Sequence, residues 1–206
     1  MVLGPGLVHW WGWVAQGAGP GDRRDRARRS KGELVCAKLG LRPGMRLLDV
    51  GCGWGSLAIH AATQHGVSVV GVTVSQEQAT LGRQRVDAAG LGDLVEIRLQ
   101  DYRDVHDGPY DAICSVGMSE HVGSTQLRAY SQTLMDLLTP GGRLLNHAIA
   151  SVRPLPTDSK DQPAFIDRYI FPDGAVVTLS STFASLEQGG FGVRDCEVLR
   201  EDVALT

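Results

Sequence analysis

Two kinds of apolar pattern alternate along the chain from residue 31 onward. Short continuous runs such as residues 46–50 (RLLDV) and 67–74 (VSVVGVTV) are rich in branched residues, as is typical of buried strands. Longer segments between them repeat apolar residues with helical spacing. In the segment 124–142 the residues that share one helical face are Leu127, Tyr130, Leu134, Leu137 and Leu138. Strands that alternate with helices predict an α/β fold with a mostly parallel sheet flanked by helices.

Glycine, proline and serine predict where these helices begin and end. Gly40 closes a helix that starts near residue 31, and Gly66 closes the next one. Ser75 is a suitable N-cap for the third helix. The run Pro140-Gly141-Gly142 predicts the end of the helix in 124–142. Further along, we expect a short helix over 179–191 and a last strand within 193–202.

The first 30 residues differ from the rest of the chain. They contain three of the four tryptophans, Trp10, Trp11 and Trp13, followed by a basic stretch rich in arginine. We expect residues 1–30 to be an atypical, poorly ordered arm and residues 31–206 to form one domain with a cap insertion at about 151–180. A basic segment beside tryptophans can contact a membrane surface transiently, although no apolar helical stripe supports it here.

Charge and cysteine content exclude several classes of protein. The net charge is −3, but residues 1–31 carry +4 and the remainder −7, so this acidic body predicts no nucleic-acid groove. The four cysteines have no spacing typical of a metal or redox motif, which predicts no metal site and a reduced, cytoplasmic protein. No apolar run approaches the ~20 residues of a membrane span. The oligomeric state is open.

A glycine-rich turn follows the strand that ends in Asp49. The turn holds Gly51, Gly53 and Gly55 around Trp54, and glycines let a ligand approach the backbone closely. A dinucleotide site also uses glycines, but Asp49 would repel a pyrophosphate and suits a cationic ligand. The turn therefore predicts a site for S-adenosylmethionine, which carries an ammonium and a sulfonium. Nicotinamide binding and a purely structural turn are the alternatives.

The ends of the next two strands offer polar groups to the rest of that ligand. Thr73 and Gln78 can hydrogen-bond a ribose or a methionine tail, and Ser75 between them is a further cofactor candidate. Asp101 can accept from an adenine amino group, and Tyr102 can flank the ring. Taken alone, Tyr102 is equally well explained by packing.

Several motifs in order resemble one known family. They are LLDVGCGWGSLAIHAA, GVTVSQEQ, DYRDV, ICSVGMSEHVG, LTPGGRLLNHAIA and FIDRYIFPDG. Over residues 31–206 they resemble the cyclopropane-fatty-acyl-phospholipid synthases, a group that includes the mycolic acid cyclopropane synthases. The resemblance implies the class I methyltransferase fold, which is Rossmann-like. It also implies transfer of a methyl group from S-adenosylmethionine to a cis double bond of a lipid acyl chain, which closes a cyclopropane ring.

The resemblance also implies a bicarbonate ion that acts as the base. Glu120 and His147 would hold it through their side chains, and Ile149 through a backbone group. From the residues alone, Glu120 and His147 follow neighbouring strands, so a carboxyl group and an imidazole can converge there. His121 could instead support Glu120, and a Glu-His pair is often merely structural.

Two departures from the family pattern leave other functions open. A segment resembling YSCAYF, which contributes to both sites in the family, is replaced here by LVHWWGWVAQGAGPGD, and Val203 stands where the family has a tyrosine. We therefore expect a chain truncated at both ends that lacks the last family strand. An N-methyltransferase acting on a small-molecule amine and an inactive fragment are the alternatives to a lipid-modifying enzyme.

Overall fold

A five-stranded parallel sheet forms the centre of the molecule. The computed structural model describes residues 31–150 and 177–197. The strand order is β3-β2-β1-β4-β5, and each adjacent pair is parallel. The strands are β1 (Arg46–Val50), β2 (Ser68–Thr73), β3 (Val95–Leu99), β4 (Tyr110–Val116) and β5 (Leu138–His147). The parallel α/β sheet predicted from the sequence is confirmed.

Helices cover both faces of this sheet. They are α1 (31–39), α2 (Ser56–His65), α3 (Gln76–Ala88), α4 (Ser119–Val122), α5 (Leu127–Asp136) and α6 (Leu179–Gln188). Alternate residues of β1 separate the two cores: Leu47 packs with α1, α2 and α3, whereas Leu48 packs with α5 on the opposite face. Helix α6 lies on α5, outside the second core.

Three predicted helix ends are confirmed. Gly40 and Gly66 have φ of 66° and 62°, the left-handed conformation that ends a helix and favours glycine. The Ser75 hydroxyl caps α3 by accepting a hydrogen bond from the Gln78 backbone N–H at 3.3 Å.

The predicted boundary between α5 and β5 is wrong. Helix α5 ends at Asp136, and Leu138 already pairs with Tyr110 of β4, so Pro140, Gly141 and Gly142 lie in a strand. The register shifts between Tyr110 and Ala112, which accommodates the irregular segment. Proline is tolerated there because β5 is the edge strand of the described sheet.

The expected last strand does not form in residues 193–197, and the rest of it, 198–202, lies outside the described residues. Instead the acidic groups of Asp195 and Glu197 form ion pairs with Lys38 of α1, the second at 2.8 Å. Val193 and Cys196 are exposed, so this segment has no apolar face to bury against a sheet.

Other expectations fall on residues that the structure does not describe. These include the N-terminal arm, Val203 and most of the cap insertion, whose last two residues, 179 and 180, begin α6. Every helix within 31–150 and 177–197 is too short or too polar to cross a lipid bilayer.

Candidate active site

The polar residues singled out from the sequence meet at one edge of the sheet. The carboxyl ends of β1, β2, β4 and β5 all open on this edge, because the strands are parallel. The helices that follow β1 and β4 cover opposite faces of the sheet, so the space beyond the ends of these two strands is the topological switch point of the sheet. Ligands of open α/β sheets bind at such a position.

The glycine turn after β1 has a backbone that only glycine adopts easily. Gly51, Gly53 and Gly55 have φ of 75°, 56° and 73°. The backbone N–H groups of Gly51 and Cys52 both donate to the Val72 carbonyl at 3.0 Å, which holds the turn to β2. A Cβ at Gly53 would meet no atom within 4 Å, so the middle of the turn faces open space.

Asp49 lies buried just before this turn, with 2% of its surface exposed. Its Oδ1 accepts a hydrogen bond from Cys114 Sγ at 3.3 Å, whereas Oδ2 has no hydrogen-bond partner among the described residues. Burial raises the pKa of Asp49 to about 6, although the Cys114 hydrogen bond and the nearby Lys31 ammonium act in the opposite direction. The nearby donor and positive charge therefore do not offset the desolvation of the Asp49 carboxylate, which suits an additional cationic group.

The end of β2 brings Thr73 and Gln78 into contact. Thr73 is buried, and its hydroxyl donates to Gln78 Oε1 at 2.7 Å. This bond holds the Gln78 side chain beside the end of β2 and occupies its amide oxygen. Ser75 has a different position, because its hydroxyl caps α3 and donates to Glu77 Oε2 at 2.8 Å. This structural role accounts for Ser75, and its cofactor role stays a prediction.

At the end of β3, Asp101 and Tyr102 both have partners within the protein. Arg103 donates to the Asp101 carboxylate from its backbone N–H, from Nε and from Nη2, at 2.7–2.9 Å. These bonds lower the pKa of Asp101 and keep it ionised. The half-buried Tyr102 ring stands edge-on to Tyr130 with centroids 5.5 Å apart. Contact of either residue with adenine stays a prediction.

Glu120 is the second buried carboxyl group of the site, with 3% exposed. Helix α4 positions it directly after β4, and its Oε1 accepts from the Ile149 backbone N–H at 2.7 Å. Its Oε2 is buried without a hydrogen-bond partner among the described residues. Burial raises the pKa of Glu120. Glu120 is therefore bonded to the segment that follows β5, and this bond already uses the Ile149 N–H. Convergence of its carboxyl group with the His147 imidazole stays a prediction.

His147 ends β5 on the neighbouring strand. Its backbone carbonyl accepts from the Gly117 N–H at 2.8 Å, which ties the end of β5 to the loop that carries Glu120. Burial, together with the Lys31 charge, lowers the pKa of His147 to about 4. Its ring is therefore neutral at physiological pH and can act as a hydrogen-bond acceptor or a weak base.

Sequence reasoning missed a buried polar network beneath this site. Tyr130 is fully buried in α5, and its hydroxyl lies 2.6 Å from Ser115 Oγ and 3.1 Å from Asn146 Oδ1. The network joins α5 to β4 through Ser115 and to β5 through Asn146, which directly precedes His147. In the sequence, Tyr130 is one apolar position of a helical face, and that pattern carries no information about the partners of its hydroxyl group.

Comparisons with known proteins agree with this geometry. A family model described as mycolic acid cyclopropane synthetase matches residues 20–206. The chain is 44% identical over 192 residues to a probable fatty acid methyltransferase of Pseudomonas putida, covering 91% of the chain and 48% of that protein. It is 43% identical over 166 residues to the cyclopropane-fatty-acyl-phospholipid synthase of Escherichia coli K12, covering 81% of the chain and 41% of that protein. The chain thus spans less than half the length of either relative.

A solved structure of similar fold comes from the same group. The mycolic acid cyclopropane synthase CmaA1, complexed with SAH and CTAB, superposes with a TM-score of 0.77 at 30% identity. The match covers 91% of the chain and 68% of that protein. The class I methyltransferase fold expected from the sequence is confirmed by this likeness.

Proposed function

Because the chain belongs to the mycolic acid cyclopropane synthetase family, we propose that it transfers a one-carbon unit from S-adenosylmethionine to a cis double bond in an unsaturated phospholipid acyl chain. The observation that carries this proposal is the position of two buried carboxyl groups, Asp49 and Glu120, at the ends of the adjacent strands β1 and β4. Each has one oxygen without a described partner.

The turn after β1 would hold the methyl donor. Gly51, Gly53 and Gly55 leave room for the ligand beside the backbone, and Asp49 would attract the positively charged methionine portion. The Gln78 amide, held by Thr73, would reach the ribose or the methionine tail. Asp101 would accept from the adenine amino group and Tyr102 would flank the ring, and Trp54, 45% exposed in the turn, would cover the ligand from solvent.

The reaction makes modest demands on the protein. The alkene π electrons form a bond to the methyl carbon while the C–S bond breaks and its electron pair stays on sulfur. The chain becomes a carbocation, and loss of a proton from the added methyl group leaves an electron pair that closes the ring. The protein must align methyl and alkene, exclude water and accept one proton.

Glu120 and His147 are suited to the proton-accepting end of this reaction. A proton beside a carbocation is acidic enough for a weak base, so a neutral imidazole with a pKa of about 4 is sufficient. An ionised Glu120 would also stabilise the developing positive charge in a site from which water is excluded.

Three of the residues that the family resemblance assigns to a bicarbonate ion are present, whereas the family's cysteine and tyrosine are not, so the site would be incomplete. The buried Oε2 of Glu120 has no described partner and could accept from the hydroxyl of such an ion. His147 would contact it from β5, and Ile149 would use its carbonyl, since its N–H is bonded to Glu120. A bound bicarbonate would supply an oxygen base at this position.

An acyl chain in a lipid is the acceptor that the relatives support. The two curated relatives are named for fatty acids and fatty-acyl phospholipids, and CmaA1 was solved with CTAB, a long-chain detergent. The protein would act from the cytoplasm on the membrane surface, with residues 31–206 as the methyltransferase domain and about 151–180 as a cap.

The test uses S-adenosylmethionine labelled with a trideuterated methyl group. The purified full chain is incubated with vesicles of a cis-unsaturated phospholipid, and the lipids are analysed by mass spectrometry. We expect a gain of one CH₂ equivalent that retains two of the three deuterons, because ring closure removes one. Retention of all three would indicate a methyl branch and contradict cyclopropane formation. No label in lipid, with label in added small amines, would support the N-methyltransferase alternative.

A further inference from the structure

A second group of chemically active side chains lies between α1 and α2. Cys36 of α1 meets His60 and His65 of α2, and their sulfur and ring nitrogen atoms all lie within 4.8 Å of one another. Glu33, one helical turn before Cys36, joins them: its Oε2 lies 3.4 Å from His60 Nε2 and 3.2 Å from His65 Nε2. We call these four residues the α1–α2 cluster.

The cluster is enclosed on its protein side. Cys36 is completely buried, and the two histidine side chains are 17% and 18% exposed. His60 packs directly over Gly32, where an added Cβ would come within 2.8 Å of the ring. Its Nε2 is buried and makes no hydrogen bond to a described residue, although Glu33 is near. This nitrogen is therefore left without a hydrogen bond beside the other members of the cluster.

We propose that the α1–α2 cluster binds one Zn²⁺ ion. One thiolate, two imidazoles and one carboxylate are ligand types that zinc takes in tetrahedral protein sites. The thiolate and the carboxylate together neutralise the two positive charges of the ion. Sulfur with imidazole nitrogen selects against Mg²⁺ and Ca²⁺, which require oxygen ligands. The ligand atoms of Cys36, His60 and His65 lie within 4.8 Å of one another, whereas Glu33 is placed against the two histidines, at 3.2–3.4 Å. Side-chain rotations would bring the four atoms to zinc–ligand distances of about 2.0–2.3 Å.

The site would be structural. Helix α2 begins after Gly55 of the glycine turn and ends at His65, which is a member of the cluster. The ion would therefore lie toward the end of α2 that is remote from the turn and clamp this helix to α1. Four protein ligands leave no open position for a substrate, as in structural zinc sites. The proposal is independent of methyl transfer, because none of the four residues belongs to the candidate active site.

The test is metal titration of the untagged full chain after removal of metals with a chelator. We expect Zn²⁺ to bind one ion per chain and to raise the thermal unfolding temperature, with Mg²⁺ ineffective at the same concentration. Co²⁺ in place of Zn²⁺ should give the intense visible bands of a tetrahedral site and a thiolate charge-transfer band in the near ultraviolet.

Two ligand variants and two controls make the result specific. Cys36→Ser should abolish the thiolate band, and His65→Asn should weaken Zn²⁺ binding more than about a hundredfold, since even the loss of an outer-shell partner costs about ten- to a hundredfold. Cys196→Ser and His106→Asn, both at exposed positions, should bind as the wild type does. His65 ends its helix and is partly exposed, so it remains informative if Cys36→Ser fails to fold. Equal binding by His65→Asn and wild type, or no Zn²⁺ binding by the wild type, would overturn the proposal.

Discussion

At the scale of single residues, the buried carboxyl groups of Asp49 and Glu120 have different neighbours that offset the cost of their desolvation. Asp49 has Cys114 as a hydrogen-bond donor and the Lys31 ammonium nearby, yet burial still raises its pKa to about 6. Glu120 accepts a hydrogen bond from the Ile149 N–H at 2.7 Å and from its own backbone N–H, yet burial still raises its pKa. Both groups are more stable when an additional positive charge or hydrogen-bond donor arrives.

The pKa of Asp49 predicts how S-adenosylmethionine binding depends on pH. A cationic ligand favours the ionised carboxylate, so it lowers the pKa in the complex, and affinity falls as pH drops through the free value of about 6. Between pH 7 and pH 5 we expect a loss of about tenfold in affinity by isothermal calorimetry, because one proton must leave on binding.

Asp49→Asn is the matched variant for this experiment. The amide oxygen can still accept from Cys114, but the charge is gone, so we expect weak binding that no longer changes over this pH range. Wild-type affinity that stays constant from pH 5 to pH 7 would show that Asp49 does not face the ligand's positive charge.

Glu120→Gln separates chemistry from cofactor binding. The glutamine oxygen can still accept from the Ile149 N–H, so the local fold should persist while the ionisable oxygen is lost. We expect methyl transfer to fall by at least about a hundredfold, the scale of general acid–base contributions, with the dissociation constant of S-adenosylmethionine changed by less than about threefold. Glu77→Gln, at an exposed position of α3, is the control. Unchanged turnover in Glu120→Gln would remove Glu120 from the mechanism.

At the scale of elements, β2 supports the glycine turn by close packing. Gly71 lies in the middle of β2, where an added Cβ would stand 2.9 Å from both Cys52 Cβ and Ile97 Cδ1. Cys52 belongs to the turn itself, so the missing side chain at Gly71 lets the turn lie against the sheet. In the sequence this glycine interrupts a strand of valines, which is the usual signal of a close approach.

Gly71→Ala should therefore destabilise the fold and disturb the turn. Overpacking of a rigid core costs about 1–3 kcal/mol, and urea unfolding measures this difference directly. Gly92→Ala is the control, because an added Cβ there meets nothing within 4 Å and should change stability by less than about 1 kcal/mol. Equal stabilities for the two variants would contradict close packing at Gly71.

The helices and strands also show which elements, and which of their boundaries, can be predicted from sequence patterns alone. The β-branched runs identified β1, β2 and β4 because fully buried strands have few alternatives. The end of α5 was misplaced because Leu137 and Leu138 are buried in the same core whether they continue a helix or begin a strand. The pairing of Leu138 with Tyr110 is a tertiary contact, and helical periodicity carries no information about it.

At the scale of the whole molecule, the sequence predicts which residues of the candidate site lie at the ends of strands. It does not predict which side chains contact one another there. The order of strands brings Asp49, Thr73, Glu120 and His147 to one edge, and that order follows from the fold class. Partners within the protein, such as Arg103 for Asp101 or α3 for Ser75, depend on side-chain geometry that residue types do not determine. The α1–α2 cluster was missed for the same reason, since its ligands come from two helices.

We expect the buried carboxylate of Asp49, beside the turn of Gly51, Gly53 and Gly55, to select a cationic sulfur nucleoside over a phosphate-bearing dinucleotide. The most direct measurement is calorimetric titration of the purified full chain at pH 7 with S-adenosylmethionine and, separately, with NAD⁺. We expect one molecule of S-adenosylmethionine to bind per chain and NAD⁺ to give no binding heat. A chain that is folded by circular dichroism and binds NAD⁺ but not S-adenosylmethionine would contradict the claim.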